Sequence, residues 1–200
     1  MSQHSDSTIR YYDDHADQYV QDTVGVEMQP LYVPFLELIS PGGKILDAGC
    51  GSGRDSKAFK DRGFVVTAID ASENMANHAS RLLEQPVSVV RLQDVAFTSE
   101  FDGIWACASL LHVPRHEIDD VLLRLIRALK PHGVCFLSFK EGDGERQDGG
   151  RYFNDLQLES LERLLVGHSE IEVVRLWTTC DVRPDQQQVR WVNGMFRRIV

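Results

Sequence analysis

The chain has 200 residues, 42% hydrophobic and 26% charged, with 30 acidic against 21 basic side chains and a formal net charge of −9. That length is one domain with room for a sheet covered on both faces, and the composition excludes disordered and collagen-like classes. The acidic balance argues against nonspecific binding to nucleic acid, which needs clustered Lys and Arg to release counterions. No run approaches the roughly 18 consecutive apolar residues of a membrane span. The first residues, MSQHSDSTIR, hold no apolar signal core, so a cytoplasmic protein without a membrane partner is expected. Cys50, Cys107, Cys135 and Cys180 form no C-x-x-C pair, which points to reduced, mostly buried thiols and to no metal site.

In chain order, Tyr11 to Tyr19 (YYDDHADQY) reads as a helix with Tyr12 and Tyr19 on one face, and Glu27 to Ile39 as a helix broken by Pro30 and Pro34. Pro41 and Gly42-Gly43 punctuate before a buried strand, Lys44 to Leu46, closed by Asp47. Gly49, Gly51 and Gly53 follow at alternate positions, where a ligand can approach bare backbone. Asp55 and Ser56 open a helix that stops at Gly63. Strand, glycine loop and helix N-terminus together make a nucleotide-type site, because unpaired N–H groups and the helix dipole face its crook. A second strand, Phe64 to Ile69, ends in Asp70, placed to accept hydrogen bonds from both hydroxyls of a ribose.

Ser72 reads as the N-cap of a helix to about Leu83, and Val87 to Leu92 as a third strand ending in Gln93 and Asp94. Asp47, Asp70 and Asp94 thus stand at three strand ends, as one ligand lying across the C-terminal edge of a parallel sheet requires. Phe101 to Ala108 is the fourth strand. Arg115 to Leu129 carries apolar residues at helical spacing and ends at Lys130-Pro131-His132-Gly133, before a fifth strand, Val134 to Phe139. Lys140 to Gly150, with four glycines, reads as a long mobile loop near the active-site edge. Asn154 reads as the N-cap of a helix from Asp155 to Val166. Ile171 to Thr179 and Val189 to Ile199 are the last two strands, with the turn-rich Asp181 to Gln188 between them.

LDAGCGSG followed by a strand ending in Asp70 resembles the first two motifs of the class I S-adenosylmethionine (SAM)-dependent methyltransferases, and the similarity continues to about Lys140. A dinucleotide fingerprint, G-x-G-x-x-G, would place its third glycine at position 54, which is Arg54. An acidic Asp47 also suits the methionine ammonium of SAM and would repel a pyrophosphate. The resemblance implies a Rossmann-like three-layer α/β sandwich, its seven-stranded, mostly parallel sheet ending in an antiparallel edge hairpin. It implies SAM as cofactor and S-adenosylhomocysteine as product. Asp47, Gly49, Gly51 and Gly53 would hold the methionine part, Asp70 the ribose, and Met75, Asp94 and Val95 the adenine, with Cys50 and Ala71 as further cofactor contacts.

YYDDHADQY resembles the Y-D-x-x-A-x-x-Y entry of small-molecule methyltransferases, with Tyr12, Asp13, Ala16 and Tyr19 at its positions, which implies a lid over the cofactor. The same residues also fit an amphipathic helix packing its tyrosines on the domain. Ser109 to Pro114 lacks the N/D-P-P-Y/F of DNA and glutamine methyltransferases. It looks like the small-molecule branch with tellurite-resistance and UbiE-like enzymes, His112 serving as general base or only as pocket wall. Tyr12 and Tyr19 are the other candidates for handling the acceptor.

Lys140, Arg146, Arg151, Arg183 and Arg190 lie in or beside the late loops. If Lys140, Arg151 and Arg183 converge with Tyr152 and Trp191, the pocket suits a small anionic acceptor. The alternative is loop charges balancing Glu141, Glu145, Asp148 and Asp181. The expectation is one methyltransferase domain over 1–200, with 1–40 a helical lid segment and 41–200 the core, acting on a small molecule. A SAM-binding module without turnover, a NAD-dependent oxidoreductase and an interaction domain that kept the fold are the other readings.

Overall fold

The computed structural model describes residues 3–183 and 186–200. Helices α1 (Gln3–Asp14) and α2 (Ala16–Thr23) meet at His15, so the expected single helix is two. The Tyr12 and Tyr19 rings still meet edge to face, their centroids 5.2 Å apart. Pro30 and Pro34 do not break α3 (Gln29–Leu36). Pro30 stands in the first turn, where no N–H is needed. Pro34 removes one interior bond, and burial of Leu31, Tyr32 and Phe35 offsets that loss.

The core alternates strand and helix: β1 (Lys44–Ala48), α4 (Arg54–Asp61), β2 (Val65–Asp70), α5 (Glu73–Leu83), β3 (Ser88–Val89), β4 (Phe101–Ala106), α6 (Ile118–Ala128) and β5 (Leu129–Lys140). A hairpin, β6 (Gly144–Asp148) and β7 (Arg151–Asp155), precedes α7 (Leu158–Val166), β8 (Ile171–Cys180) and β9 (Arg190–Arg198). The seven strands of the main sheet lie in the order β3-β2-β1-β4-β5-β9-β8. Strands β1 to β5 pair in parallel, and β9 is antiparallel to both β5 and β8. This is the expected Rossmann-like architecture with its antiparallel edge.

Both faces of the sheet are covered, which is why β1 and β4 read as continuous apolar runs rather than alternating ones. On one side Leu46, Ile104 and Leu137 pack with Leu122, Leu125 and Ile126 of α6. On the other, Ile45, Trp105 and Phe136 pack with Phe35 of α3 and Phe59 of α4. Trp105 stacks on Phe136 at 4.0 Å between centroids. Gly103 lets α3 approach β4: a Cβ there would lie 2.3 Å from Ile39 Cδ1 and 2.9 Å from Phe35 Cζ. Gly103→Ala is therefore expected to lower stability by about 1–3 kcal/mol through overpacking, read as a shifted urea midpoint at unchanged slope.

Four local expectations need correction. The third strand is only Ser88–Val89, because Leu92–Asp94 turns as a 3-10 helix. Lys130 to Gly133 does not separate helix from strand. His132 takes φ +67° and the partner of the β4 edge jumps from Leu129 to Val134, a bulge within β5. The stretch read as a mobile loop contains β6. Asp148 pairs with Arg151 across Gly149 and Gly150, both at positive φ (57° and 85°), the two-residue turn that suits a hairpin. Asn154 and Asp155 consequently belong to β7, and the next helix starts at Leu158 after Gln157. Between Asp181 and Gln188, Pro184 and Asp185 lie outside the described residues.

Candidate active site

The strand order reverses between β1 and β4, and a parallel sheet opens a crevice at its C-terminal edge at such a point. A cavity of about 300 Å³ occupies it, walled by Gly49, Cys50 and Gly51 after β1, Asp70 to Ser72 after β2, and Cys107 to Ser109 after β4. Gly49 and Gly51 adopt φ of +87° and +53°. A Cβ on Gly49 would fall 2.5 Å from that of Ser109, so glycine is required there on steric as well as conformational grounds.

Asp70 anchors this loop. Its Oδ2 accepts from the Gly51 N–H (2.8 Å) and its Oδ1 from the Ser72 N–H (2.9 Å). Burial raises its pKa, and these N–H bonds work against that rise. Ser72 caps α5 by accepting from the Met75 N–H (3.1 Å), which brings the buried Met75 onto the wall.

Asp47 lies behind the loop, 2% exposed and off the cavity wall, with Ser56 Oγ donating to it at 2.6 Å. Sequence reasoning missed the carboxylate beside it. Asp55 accepts from Arg54 Nε (2.5 Å), Tyr32 Oη (2.5 Å) and Trp105 Nε1 (2.7 Å), partners 1, 23 and 50 positions away. Burial works to raise the Asp55 carboxyl, but Arg54 and these hydrogen bonds outweigh it and hold it below the usual range. Burial, with Asp55 adding its charge, pushes Asp47 the other way, well above a normal carboxylate.

A group with a raised folded pKa contributes stability below its unfolded value and loses it as pH rises through the folded one. Asp47→Asn should therefore raise the thermal midpoint of the ligand-free protein at pH 8 by roughly 3 °C or more, a gain that vanishes near pH 4. An unchanged midpoint at pH 8 would place a proton-independent role on Asp47.

Of the other residues expected to hold a cofactor, Cys50, Ala71 and Met75 line the cavity, whereas Gly53, Asp94 and Val95 do not. The 3-10 turn presents Gln93 to the cavity instead, leaves Asp94 exposed and buries Val95. Helices α1 and α2 cover one side with Thr8, Ile9, Tyr12, Tyr19 and Thr23. They are tied to the core by Ser72 Oγ donating to Asp13 (2.6 Å), Arg91 pairing with Asp6 (2.8 Å) and the Tyr152 N–H donating to Thr8 Oγ1 (2.8 Å).

His112 stands in a 3-10 turn after β4. Its Nδ1 is 2.7 Å from the carbonyl of Tyr152, which can only accept, so Nδ1 carries the proton. Nε2 is then the lone-pair nitrogen, and the Tyr12 hydroxyl donates to it at 2.9 Å. Burial pushes the imidazole down to about 4, the Tyr152 carbonyl opposing and Arg151 and Lys140 reinforcing the shift. Burial, with Tyr19 nearby, raises the Tyr12 phenol far above its usual value. Ser109 also lines the cavity, and its buried Oγ has no hydrogen-bond partner among the described residues.

Lys140, Arg151 and Arg183 all reach the cavity wall, with Trp191. Arg183 is held by Asp181 at 2.9 and 2.7 Å, and Trp191 Nε1 also donates to Asp181. Arg146 pairs with Asp155 and Asp148, Arg190 with Glu141, and the Tyr152 hydroxyl donates to Glu145, all away from the wall. Salt-bridged loop charges therefore describe Arg146 and Arg190, while Lys140 and Arg151 pair with no carboxylate among the described residues.

Residues 45–133 match the family model described as a methyltransferase domain. Residues 45–133 thus carry a methyltransferase domain, similar to that of SAM-dependent methyltransferases. Among curated methyltransferases, the ubiquinone biosynthesis O-methyltransferase of Dechloromonas aromatica is 35% identical over 121 residues, 56% of this chain and 51% of that protein. The 2-methyl-6-phytyl-1,4-hydroquinone methyltransferase of Synechocystis sp. is 30% identical over 118 residues, 56% of this chain and 36% of that protein. The chain thus spans about half or less of the length of these two methyltransferases. The structure of Burkholderia thailandensis 1,6-didemethyltoxoflavin-N1-methyltransferase, with bound 1,6-didemethyltoxoflavin and S-adenosylhomocysteine, superposes with a TM-score of 0.76 at 23% identity. That match covers 96% of this chain and 85% of the other, and it establishes the shared fold.

The residues present fit the cofactor of this family. Gly49, Cys50 and Gly51 bring the loop to the cavity wall, Asp70 offers a carboxylate there, and the buried Ser109 hydroxyl on the same wall has no partner among the described residues. Among the described residues no helix is long and apolar enough to cross a membrane.

Proposed function

We propose that this methyltransferase moves the methyl group of SAM to a hydroxyl oxygen of a small-molecule acceptor, within one domain whose residues 1–40 form the lid and 41–200 the core. The backbone of Gly49, Cys50 and Gly51 would hold the methionine part, with Asp47 and Gly53 supporting the loop from behind. Asp70 and Ala71 would take the ribose, and Met75 with Gln93, in place of Asp94 and Val95, the adenine. SAM supplies the methyl group, its C–S bond breaking with the electron pair left on sulfur as the acceptor oxygen takes the carbon.

The observation that carries this reading is the neutral His112, its Nδ1 committed to a carbonyl and its Nε2 presented into the same cavity as the glycine loop. An acceptor hydroxyl that displaces the Tyr12 hydroxyl from Nε2 would pass its proton there as the oxygen attacks. Tyr12 and Tyr19, carried on α1 and α2, would orient the acceptor, and the two helices would exclude water. The name of one curated relative, an O-methyltransferase, favours a hydroxyl as nucleophile.

Calorimetric titration with SAM, S-adenosylhomocysteine and NAD tests the cofactor. Micromolar binding of the two sulfur compounds with no heat from NAD is the expected result, and binding of NAD alone would overturn it. A phenol panel incubated with SAM and read by mass spectrometry then tests turnover. Tight cofactor binding with no methyl gain on any acceptor would favour a SAM-binding module.

A further inference from the structure

Of the five late-loop cations, Lys140, Arg151 and Arg183 line the cavity while Arg146 and Arg190 lie off its wall, and the structure divides them further by partner. Arg146, Arg183 and Arg190 each have a carboxylate partner. Lys140 and Arg151 have none among the described residues, in a chain whose acidic side chains outnumber its basic ones by 30 to 21. Both line the cavity, and both are held by one aromatic ring. Lys140 Nζ lies 4.5 Å and Arg151 Cζ 5.2 Å from the centroid of the buried Phe153.

Arg151 also lies 4.6 Å over Tyr11, and its buried Nε has no acceptor among the described residues. Arg146 packs on the same phenyl ring at 4.3 Å, but its charge is met by Asp155 and Asp148, which leaves the Lys140 and Arg151 charges beside it without a carboxylate partner among the described residues. A cluster of this kind is strained until an anion enters: burial and then the charges of Arg146 and Arg151 already depress the Lys140 ammonium. His112 is near, its ring centroid 5.1 Å from that of Phe153.

Resting on the methyl-transfer reading, we propose that the acceptor is a small organic anion whose carboxylate seats between Arg151 and Lys140 while its hydroxyl faces His112 and Tyr12. Arg151 offers the planar fork that suits a carboxylate, and its stacking on Tyr11 fixes that fork in place. The organic body follows from the rest of the wall, where Ile9, Leu111, Val113, Phe153 and Trp191 offer apolar surface that an inorganic oxyanion would leave unused. Seating the carboxylate also offsets the Arg151 and Lys140 charges, which add to the larger effect of burial in keeping His112 neutral.

The test uses the full chain saturated with S-adenosylhomocysteine and titrated with benzoate, its neutral isostere benzamide, and sulfate. Benzoate is expected to bind about tenfold or more tighter than either. Arg151→Gln and Lys140→Gln should each remove that preference while S-adenosylhomocysteine affinity stays within about twofold of wild type. Arg190→Gln, off the wall and paired with Glu141, should leave it intact. Equal affinity for benzoate and benzamide, no benzoate binding, a preference for sulfate, or a benzoate preference that survives both glutamine variants would each overturn the proposal. Failure of S-adenosylhomocysteine itself to bind would instead overturn the methyl-transfer reading on which it rests.

Discussion

Replacing Asp70 by alanine is expected to weaken S-adenosylhomocysteine binding by about 30- to 1000-fold, the loss of one or two hydrogen bonds to a charged acceptor at a buried site. The carboxylate acts twice. It presents its remaining lone pairs to the cavity, and through the Gly51 and Ser72 N–H groups it ties the glycine loop to the start of α5. The fold should survive, because removing a buried carboxylate also removes its desolvation penalty, and the two freed N–H groups stand at a cavity wall that water can reach. Titration calorimetry beside a thermal melt separates the two effects. Affinity within about twofold of wild type would refute the role.

Loss of His112 is the second large effect. His112→Ala should lower kcat by about 10²- to 10⁴-fold with S-adenosylhomocysteine affinity unchanged, the usual contribution of a positioned general base. Because burial pushes its pKa down to about 4, the imidazole is neutral across the physiological range. The acid limb of kcat/KM, which reports the free enzyme, should accordingly fall near pH 4 and not near the ordinary histidine value of about 6.5.

The same shift has the opposite sign in stability. The unfolded chain takes up a proton below about pH 6.5 that the folded chain refuses, so stability should decline as pH falls from there toward 4, and His112→Ala should flatten that decline. Tyr12→Phe, which keeps the ring and removes the hydroxyl, distinguishes the partners. If neither variant lowers kcat more than about threefold, His112 is a wall residue.

Much of this was legible from residues that act through their neighbours in sequence. Three alternate glycines after an apolar strand, an aspartate at the end of the next, and Ser72 three positions before Met75 are local patterns with local causes: positive φ, a strand terminus, a cap. The hairpin of β6 and β7 was legible too, since Gly149-Gly150 flanked by Asp148 and Arg151 is a two-residue turn signal; the density of glycines in that stretch read instead as a loop. Its consequences for Asn154 and for the start of α7 followed from that one misreading. Asp94 was misplaced for a different reason: one turn of 3-10 helix after Val89 exchanges which of Gln93 and Asp94 faces the cavity, and neither residue type announces that turn.

What the sequence determined by itself is the parallel core, the glycine loop and the carboxylate at Asp70, because each rests on periodicity or on a conformational need of a single residue. Only the tertiary structure decided which polar groups act together. Asp55 became the hub of Arg54, Tyr32 and Trp105, His112 acquired a fixed tautomer from the carbonyl of Tyr152, and Lys140 and Arg151 were left without carboxylates among the described residues while Arg146, Arg183 and Arg190 were paired. The physical reason is that hydrogen bonds and charges act over a few ångströms in space, between residues as far apart as Tyr12 and His112, and nothing in local spacing encodes which of them the fold will bring within reach.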